Sequence, residues 1–187
     1  MKNGIYVSSL KYAGSFDHNA LVAGIARTCA QRGLAVKSDP VLPGGKRADL
    51  AVGTGKNRTY VEVKTRSRAA TNGGRALSFR QDLLREILRL RAHSLKQLPK
   101  KYSSLIVLGT SASPTRRKAF SKIAIARSFG DRIFDHDSGN VLGLMIFAPF
   151  RSHNQPNRSW KYASTLIPNP NWSLSEENLR TLAGIQL

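Results

Sequence analysis

The amino-acid sequence predicts an α/β protein in which a mixed central β-sheet is flanked by helices. Segments of helical periodicity and short extended segments follow one another in the order α-β-β-β-α-β and then α-β-β-α. The segment 104–109, which reads SLIVLG, is continuously apolar, as is typical of a strand buried on both faces of a sheet. With 187 residues, 41% of them hydrophobic, the chain is long enough to bury a real core.

The N-terminal part of the chain predicts an edge strand followed by a helix. Residues 5–12 alternate well enough for an edge strand or an extended arm. From Asp17 to Arg32 apolar residues recur at helical spacing, and Ser15 or Asp17 can cap the start of this helix. Gly33 stands where a helix needs a left-handed residue in order to end.

Three short extended segments follow and predict a β-meander. They cover residues 34–37, 47–52 and 58–65. Proline and glycine turns separate them, one at 40–45 and one at 53–57. Because strands joined by such a short turn pair antiparallel, we expect the second and third segments to be antiparallel neighbours.

The remainder of the chain continues the alternation of helices and strands. In chain order we expect an amphipathic helix over 79–98 ended by Pro99, the buried strand 104–109, a basic helix from Ser113-Pro114 to about Arg127, a hairpin of strands 141–147 and 159–166, and a last helix with Ser173 and Glu176 as its capping box. We interpret the whole chain, 1–187, as a single domain. Its core is expected at 15–110, with an extension at 111–187 packed on the same sheet.

The charge of the chain indicates a polyanionic partner. Thirty Lys and Arg residues against 11 Asp and Glu residues give a net charge of +19, which favours nucleic acid. The longest apolar run, 141–150, is too short to span a membrane, and the start of the chain lacks the pattern of a secretory signal. We therefore expect a cytoplasmic protein, associated with the nucleoid if it is bacterial. A single cysteine, Cys29, permits no internal disulfide.

The candidate site lies on the second and third strands of the meander. Tyr60, Glu62 and Lys64 alternate with two valines, so the three polar side chains share one face of their strand. Asp49 is the lone acid of the preceding strand, and cross-strand neighbours lie close together. An acid-x-Lys tripeptide is weak evidence alone, but two adjacent carboxylates in so basic a chain call for a cation between them. Mg²⁺ takes oxygen ligands, and a lysine beside it can orient water or stabilise charge on a phosphate.

These residues resemble the PD-(D/E)xK nuclease superfamily, which has the restriction-endonuclease-like fold. The resemblance covers about residues 17–109: a lone Asp on one strand, Glu-x-Lys on the next, a helix before them, and a helix and a strand after them. It implies an αβββαβ core and a Mg²⁺- or Mn²⁺-dependent endonuclease, with DNA as the expected substrate. Ala48 stands where the name of the motif has proline, and the first helix offers only Asp17 as a further acid.

Carried over residue by residue, the resemblance implies Asp49 and Glu62 as metal ligands, the main-chain carbonyl of Val63 as a third ligand and Lys64 as the catalytic lysine. Gln81, in the following helix, corresponds to a glutamine that some members place near the site. Since many related folds cut two strands as dimers, a homodimer is left open. The subfamily is also open among junction resolvases, repair nucleases, restriction enzymes and mobile-element nucleases.

Basic residues on two predicted helices are the candidates for phosphate contacts, which position a substrate without reading its sequence. They are Arg80, Arg85 and Arg89 on the long helix and Arg116, Arg117 and Lys118 at the start of the next one. The four histidines are far apart in sequence and form no histidine metal motif, so each is interpreted as a surface residue. Two alternatives to a nuclease are a non-catalytic nucleic-acid-binding protein, either a degenerate nuclease or an RNP component, and a basic scaffold for acidic proteins.

Overall fold

The computed structural model describes residues 6–9, 18–42, 44–65, 79–110, 112–134, 140–151 and 160–171. The predicted α/β class with a mixed sheet is confirmed. The strands are β1 Tyr6–Ser9, β2 Val36–Ser38, β3 Leu50–Val52, β4 Thr59–Thr65, β5 Ser104–Gly109, β6 Val141–Arg151 and β7 Trp160–Pro168; the α-helices are α1 His18–Gln31, α2 Phe79–Gln97 and α3 Arg116–Arg127. In this part of the chain no helix has the length and apolar character needed to cross a membrane.

The seven strands form one sheet in the order β1-β7-β6-β5-β4-β3-β2. Strands β4, β5 and β6 are parallel at its centre, and every other neighbouring pair is antiparallel. The predicted meander of β2, β3 and β4 and the predicted hairpin of β6 and β7 are confirmed, and β1 is an edge strand as expected. Strands from both the predicted core and the predicted extension therefore lie in the same sheet.

The sheet separates two hydrophobic clusters. On one face, Leu21 and Ile25 of α1 pack with Val61 and Val63 of β4. On the other face, residues of α2 and α3, including Ile87, pack with Tyr60 and with alternate residues of β5. All six residues of β5 are buried, as its apolar sequence predicts. Each fully buried aliphatic side chain stabilises the fold by roughly 1.5–3 kcal/mol.

Several element boundaries differ from the prediction; strand β6, for example, continues to Arg151 and not only to residue 147. Helix α3 begins after Thr115, whose side chain accepts a hydrogen bond from the Lys118 N–H at 3.2 Å, and not at Ser113-Pro114. Ser113 instead forms a bridge with Phe150 beside β6, and its N–H donates to the Pro149 carbonyl at 2.7 Å. Strand β3 is shorter than expected because Arg47 forms only an isolated bridge with Val41, and β2 begins at Val36 and not at residue 34.

Two of the predicted turns contain a glycine with a positive φ. Gly33, at the end of α1, has a φ of +76°, and Gly53, between β3 and β4, has a φ of +86°. A Cβ at Gly53 would lie 2.9 Å from the carbonyl oxygen of Asn57, so this turn needs glycine for space as well as for φ. The predicted cap Ser15 or Asp17 and the predicted last helix, with Ser173 and Glu176 as its capping box, lie outside the described residues.

Candidate active site

The antiparallel pairing of β3 and β4 places Asp49 beside Glu62. Leu50 is opposite Val61, so Asp49, immediately before β3, is next to Glu62. The alternation along β4 sends Val61 and Val63 into the core under α1. Glu62 and Lys64 therefore stand on the opposite face, and the three predicted side chains come together at one end of the β3–β4 pair.

Both oxygens of the Asp49 carboxylate have partners. Oδ2 accepts a hydrogen bond from the Val63 main-chain N–H at 2.6 Å, and Oδ1 lies 3.0 Å from Nε2 of His18, the first residue of α1. These two contacts fix the orientation of a side chain that remains 20% exposed. Because the N–H and C=O of a strand residue point to the same side, the Val63 carbonyl also lies on the Asp49 side of β4.

Glu62 is a nearly buried acid paired with a lysine. The residue is only 2% exposed, and Lys64 Nζ donates a hydrogen bond to Glu62 Oε1. Burial raises the pKa of Glu62 to about 7; the hydrogen bond from Lys64 opposes this rise, and the neighbouring negative charge of Asp49 adds to it. A second cation close to Glu62 and Asp49 would relieve both the burial of charge and the repulsion between the carboxylates.

The donor atoms at this position suit a hard divalent cation. Two carboxylates and a main-chain carbonyl are oxygen ligands, which Mg²⁺ and Mn²⁺ prefer. No group of three or more His, Cys, Asp or Glu side chains that could hold a metal ion occurs in the described ranges. The protein would thus supply two carboxylates, and water or substrate oxygens would complete the shell, which is how Mg²⁺ is commonly bound. The metal-ligand roles of Asp49, Glu62 and Val63 stay predictions.

The other predicted site residues lie on α2 and α3. Gln81 is exposed in the first turn of α2, and its catalytic role stays a prediction. The six predicted phosphate contacts, Arg80, Arg85, Arg89, Arg116, Arg117 and Lys118, are all exposed. From residue 87 to residue 130 the sequence contains no Asp or Glu.

Two of these arginines lie near opposite ends of α3. The Arg80 guanidinium donates to Ser128 Oγ at 3.3 Å and lies 5.8 Å from the centroid of the Phe129 ring. The Arg116 guanidinium lies 5.1 Å from the centroid of the Phe120 ring. At 1.5 Å per residue, the length of α3 is about 18 Å. The predicted phosphate contacts are thus spread over α2 and the length of α3 and do not form one compact cluster.

His18 is the site residue that sequence reasoning missed. The sequence interpretation treats it as an ordinary surface histidine, whereas in the structure it contacts Asp49. The two residues are separated by 31 positions, and no local spacing rule connects them. The available signal in the sequence is that His18 lies at the predicted start of the first helix, next to Asp17.

Comparison with known proteins adds little to this picture. No protein-family model matches the chain, and no curated protein matches it. Among solved structures, the structure of Pyrococcus furiosus SfsA in complex with Ca²⁺ is similar, with a TM-score of 0.39 and 13% sequence identity, covering 88% of this chain and 77% of that chain. A similarity at this identity and TM-score does not establish a shared fold or function.

Proposed function

We propose that this protein is a Mg²⁺-dependent nuclease that hydrolyses phosphodiester bonds of DNA at Asp49, Glu62 and Lys64. The observation that carries the proposal is the meeting of two carboxylates from adjacent strands, one of them nearly buried, beside a lysine on the same face. In a chain of net charge +19, such a pair repels the phosphates that the rest of the surface attracts. A bound cation removes this conflict.

Each residue of the site then has a defined role. Asp49, Glu62 and the Val63 carbonyl would hold the metal ion, which when bound supplies Lewis-acid polarisation of a phosphoryl oxygen and acidifies water. Lys64 Nζ lies beside Glu62 and would orient the attacking water or stabilise the negative charge that develops on the phosphate. His18 and the Val63 N–H hold the Asp49 carboxylate in one orientation.

The order of elements supports the same proposal. Helix α1, strands β2 to β4, helix α2 and strand β5 follow one another in the αβββαβ order that the resemblance to the PD-(D/E)xK superfamily implies. The exposed arginines and lysine of α2 and α3 would contact phosphates and position the substrate without reading its sequence.

A second candidate function is binding of nucleic acid without cleavage. The ion pair between Lys64 and Glu62 favours it, because it satisfies the buried carboxylate in the absence of a metal ion. In that case Asp49, Glu62 and Lys64 stabilise the β3–β4 pair, and the exposed basic residues alone account for nucleic-acid binding.

A cleavage assay separates the two candidates. We expect the wild-type protein to nick supercoiled DNA in Mg²⁺ or Mn²⁺, and we expect this cleavage to stop when chelator is added. Linear, single-stranded and branched DNA, and RNA, are tested as further substrates. Glu62→Gln and Lys64→Ala should lose cleavage by about 100-fold or more while retaining DNA binding. Asp82→Asn, which changes an exposed acid of α2, is the matched control and should cleave normally. Equal cleavage by wild type and Glu62→Gln would exclude the nuclease proposal.

A further inference from the structure

Two neighbouring turns at the amino ends of β4 and β5 bring a second group of basic residues together. The turn before β4 carries Lys56 and Arg58, and the turn before β5 carries Lys100, Lys101 and Tyr102. Strands β4 and β5 are parallel, with Tyr60 opposite Ser104, and the Tyr60 N–H donates to the Ser103 carbonyl at 2.9 Å. Continuing this register by two residues places Arg58 beside Tyr102. We call these five residues the amino-end patch.

The amino-end patch is strongly basic. Its four cationic side chains are all exposed, and none of them forms a salt bridge with another described residue. The sequence has no acidic residue between Asp49 and Glu62, and none between Glu86 and Asp131. Acids close in sequence therefore cannot neutralise either turn, and the patch attracts anions.

Tyr102 supplies an exposed aromatic ring that follows Lys101 in the chain and lies beside Arg58 in the strand register. The residue is 44% exposed. Its ring centroid lies 5.6 Å from that of the buried Tyr60 in a T-shaped contact with an interplanar angle of 72°, so the ring is held in place while much of it faces solvent. Of the large hydrophobic residues in the described ranges, Val41 is the other exposed one.

The amino-end patch is separate from the candidate active site. Along the extended chain, Arg58 is four positions from Glu62 and six from Lys64, which at about 3.3 Å per residue corresponds to about 13 Å and about 20 Å. The site extends from the centre of β4 towards its carboxyl end, and the patch lies at its amino end. A ligand of the patch can therefore bind without touching Asp49 or Glu62.

We propose that the amino-end patch binds single-stranded nucleic acid, with its cations on the phosphates and a base stacked on Tyr102. Cations combined with an exposed aromatic ring are the usual arrangement for binding single strands, whose bases have accessible faces. An anionic lipid surface is the less favoured partner, because an interfacial segment needs a broad apolar face and this patch offers one ring. The proposal concerns binding and does not depend on cleavage.

The test measures how tightly the 187-residue chain carrying Glu62→Gln binds fluorescent oligonucleotides in the presence of chelator. The probes are 12-nucleotide single strands of dT or U and a 12-base-pair duplex. Tyr102→Ala should weaken single-strand binding roughly 5- to 100-fold and duplex binding much less. Tyr102→Phe keeps the ring and should bind like the parent. Combined Lys56→Ala, Lys100→Ala and Lys101→Ala should reduce the slope of log K against log salt by about 2. Lys37→Ala and Val41→Ala, which change exposed residues elsewhere, should have no effect.

Three results would overturn this proposal. The first is binding by Tyr102→Ala and the triple lysine variant within twofold of the parent. The second is an equal loss on duplex and single strand for Tyr102→Ala. The third is loss by the triple variant of binding to vesicles containing phosphatidylserine while oligonucleotide binding is unchanged. Thermal melting of each variant checks its fold. Absence of cleavage by the wild-type protein in Mg²⁺ would count against the nuclease and not against the patch.

Discussion

From its centre to its carboxyl end, β4 places the buried carboxylate of Glu62 beside Lys64 and Asp49, whereas its amino end begins beside exposed cations and the exposed Tyr102. The first group is held by packing and by hydrogen bonds, so its side chains have little freedom. In the second group Tyr102 rests on Tyr60, whereas the cations are exposed and depend on their turns for position. The comparison teaches that one strand can present both an oriented acidic site and an adaptable basic surface, and that changes at the two ends should differ in kind.

The largest difference between the ends should appear when one cation is removed from each. Lys64→Ala leaves the nearly buried Glu62 carboxylate without its partner, which we expect to lower the free energy of unfolding by about 3 kcal/mol at pH 8. Arg58→Ala removes an exposed charge and should change it by less than about 0.5 kcal/mol. Chemical denaturation of both variants measures the difference. Equal effects would show that the Lys64–Glu62 pair contributes no more than a surface charge.

The raised pKa of Glu62 gives a pH dependence of known sign. The ordinary pKa of the carboxyl is 4.5, and burial raises it to about 7 in the folded protein. The folded state therefore binds more protons than the unfolded state between these values, and the free energy of unfolding falls as pH rises from about 4.5 to 7. The full effect of a shift of this size is up to about 3 kcal/mol.

The matched variant for this effect is Glu62→Gln, which cannot ionise. In chelator it should be more stable than the wild type at pH 8, and the difference between the two proteins should shrink towards pH 5, as followed by thermal melting. If Glu62 holds a metal ion, adding Mg²⁺ at pH 8 should raise the Tm of the wild type and leave that of Glu62→Gln unchanged. A wild type and a variant with parallel pH profiles would contradict the assignment of this pKa.

The sequence predicts the carboxyl-end site better than its surroundings, for a physical reason. The turn at Gly53 sets β3 and β4 antiparallel, and the two-residue period of a strand assigns Glu62 and Lys64 to one face. These are local rules. The burial of β5 on both faces follows in the same way from its apolar residues.

Contacts between elements distant in sequence could not be predicted in this way. The contact of His18 with Asp49 depends on how α1 is rotated and placed on the sheet, and the contact of Arg80 with Ser128 depends on how α2 crosses α3. Helical periodicity identifies the buried face of each helix but not the residue that meets a given side chain on another element. The start of α3 differs from the prediction because Ser113 pairs with Phe150 of β6, which is also a long-range contact.

The turn at the amino end of β4 provides a smaller effect with an internal control. Gly53→Ala combines a positive φ with a Cβ only 2.9 Å from the Asn57 carbonyl oxygen, and we expect it to destabilise the protein by about 2 kcal/mol. Gly55→Ala also has a positive φ but meets nothing within 4 Å, so it should cost only about 1 kcal/mol. Chemical denaturation of the two variants compares the destabilisation caused by a positive φ together with a steric clash with that caused by a positive φ alone. Gly55→Ala as the more destabilising variant would contradict this account.

The smallest expected effect on stability is that of His18, which acts through Asp49. His18→Ala removes a partly exposed contact and should lower the free energy of unfolding by about 1 kcal/mol or less. Asp49 keeps its hydrogen bond from the Val63 N–H, so cleavage should fall less than in Asp49→Asn, and His18→Gln, whose amide can also donate, should recover part of the loss. Cleavage rates in saturating Mg²⁺ measure this order. If His18→Ala were as inactive as Asp49→Asn, and His18→Gln gave no recovery, the histidine would have a direct role that positioning of Asp49 does not explain.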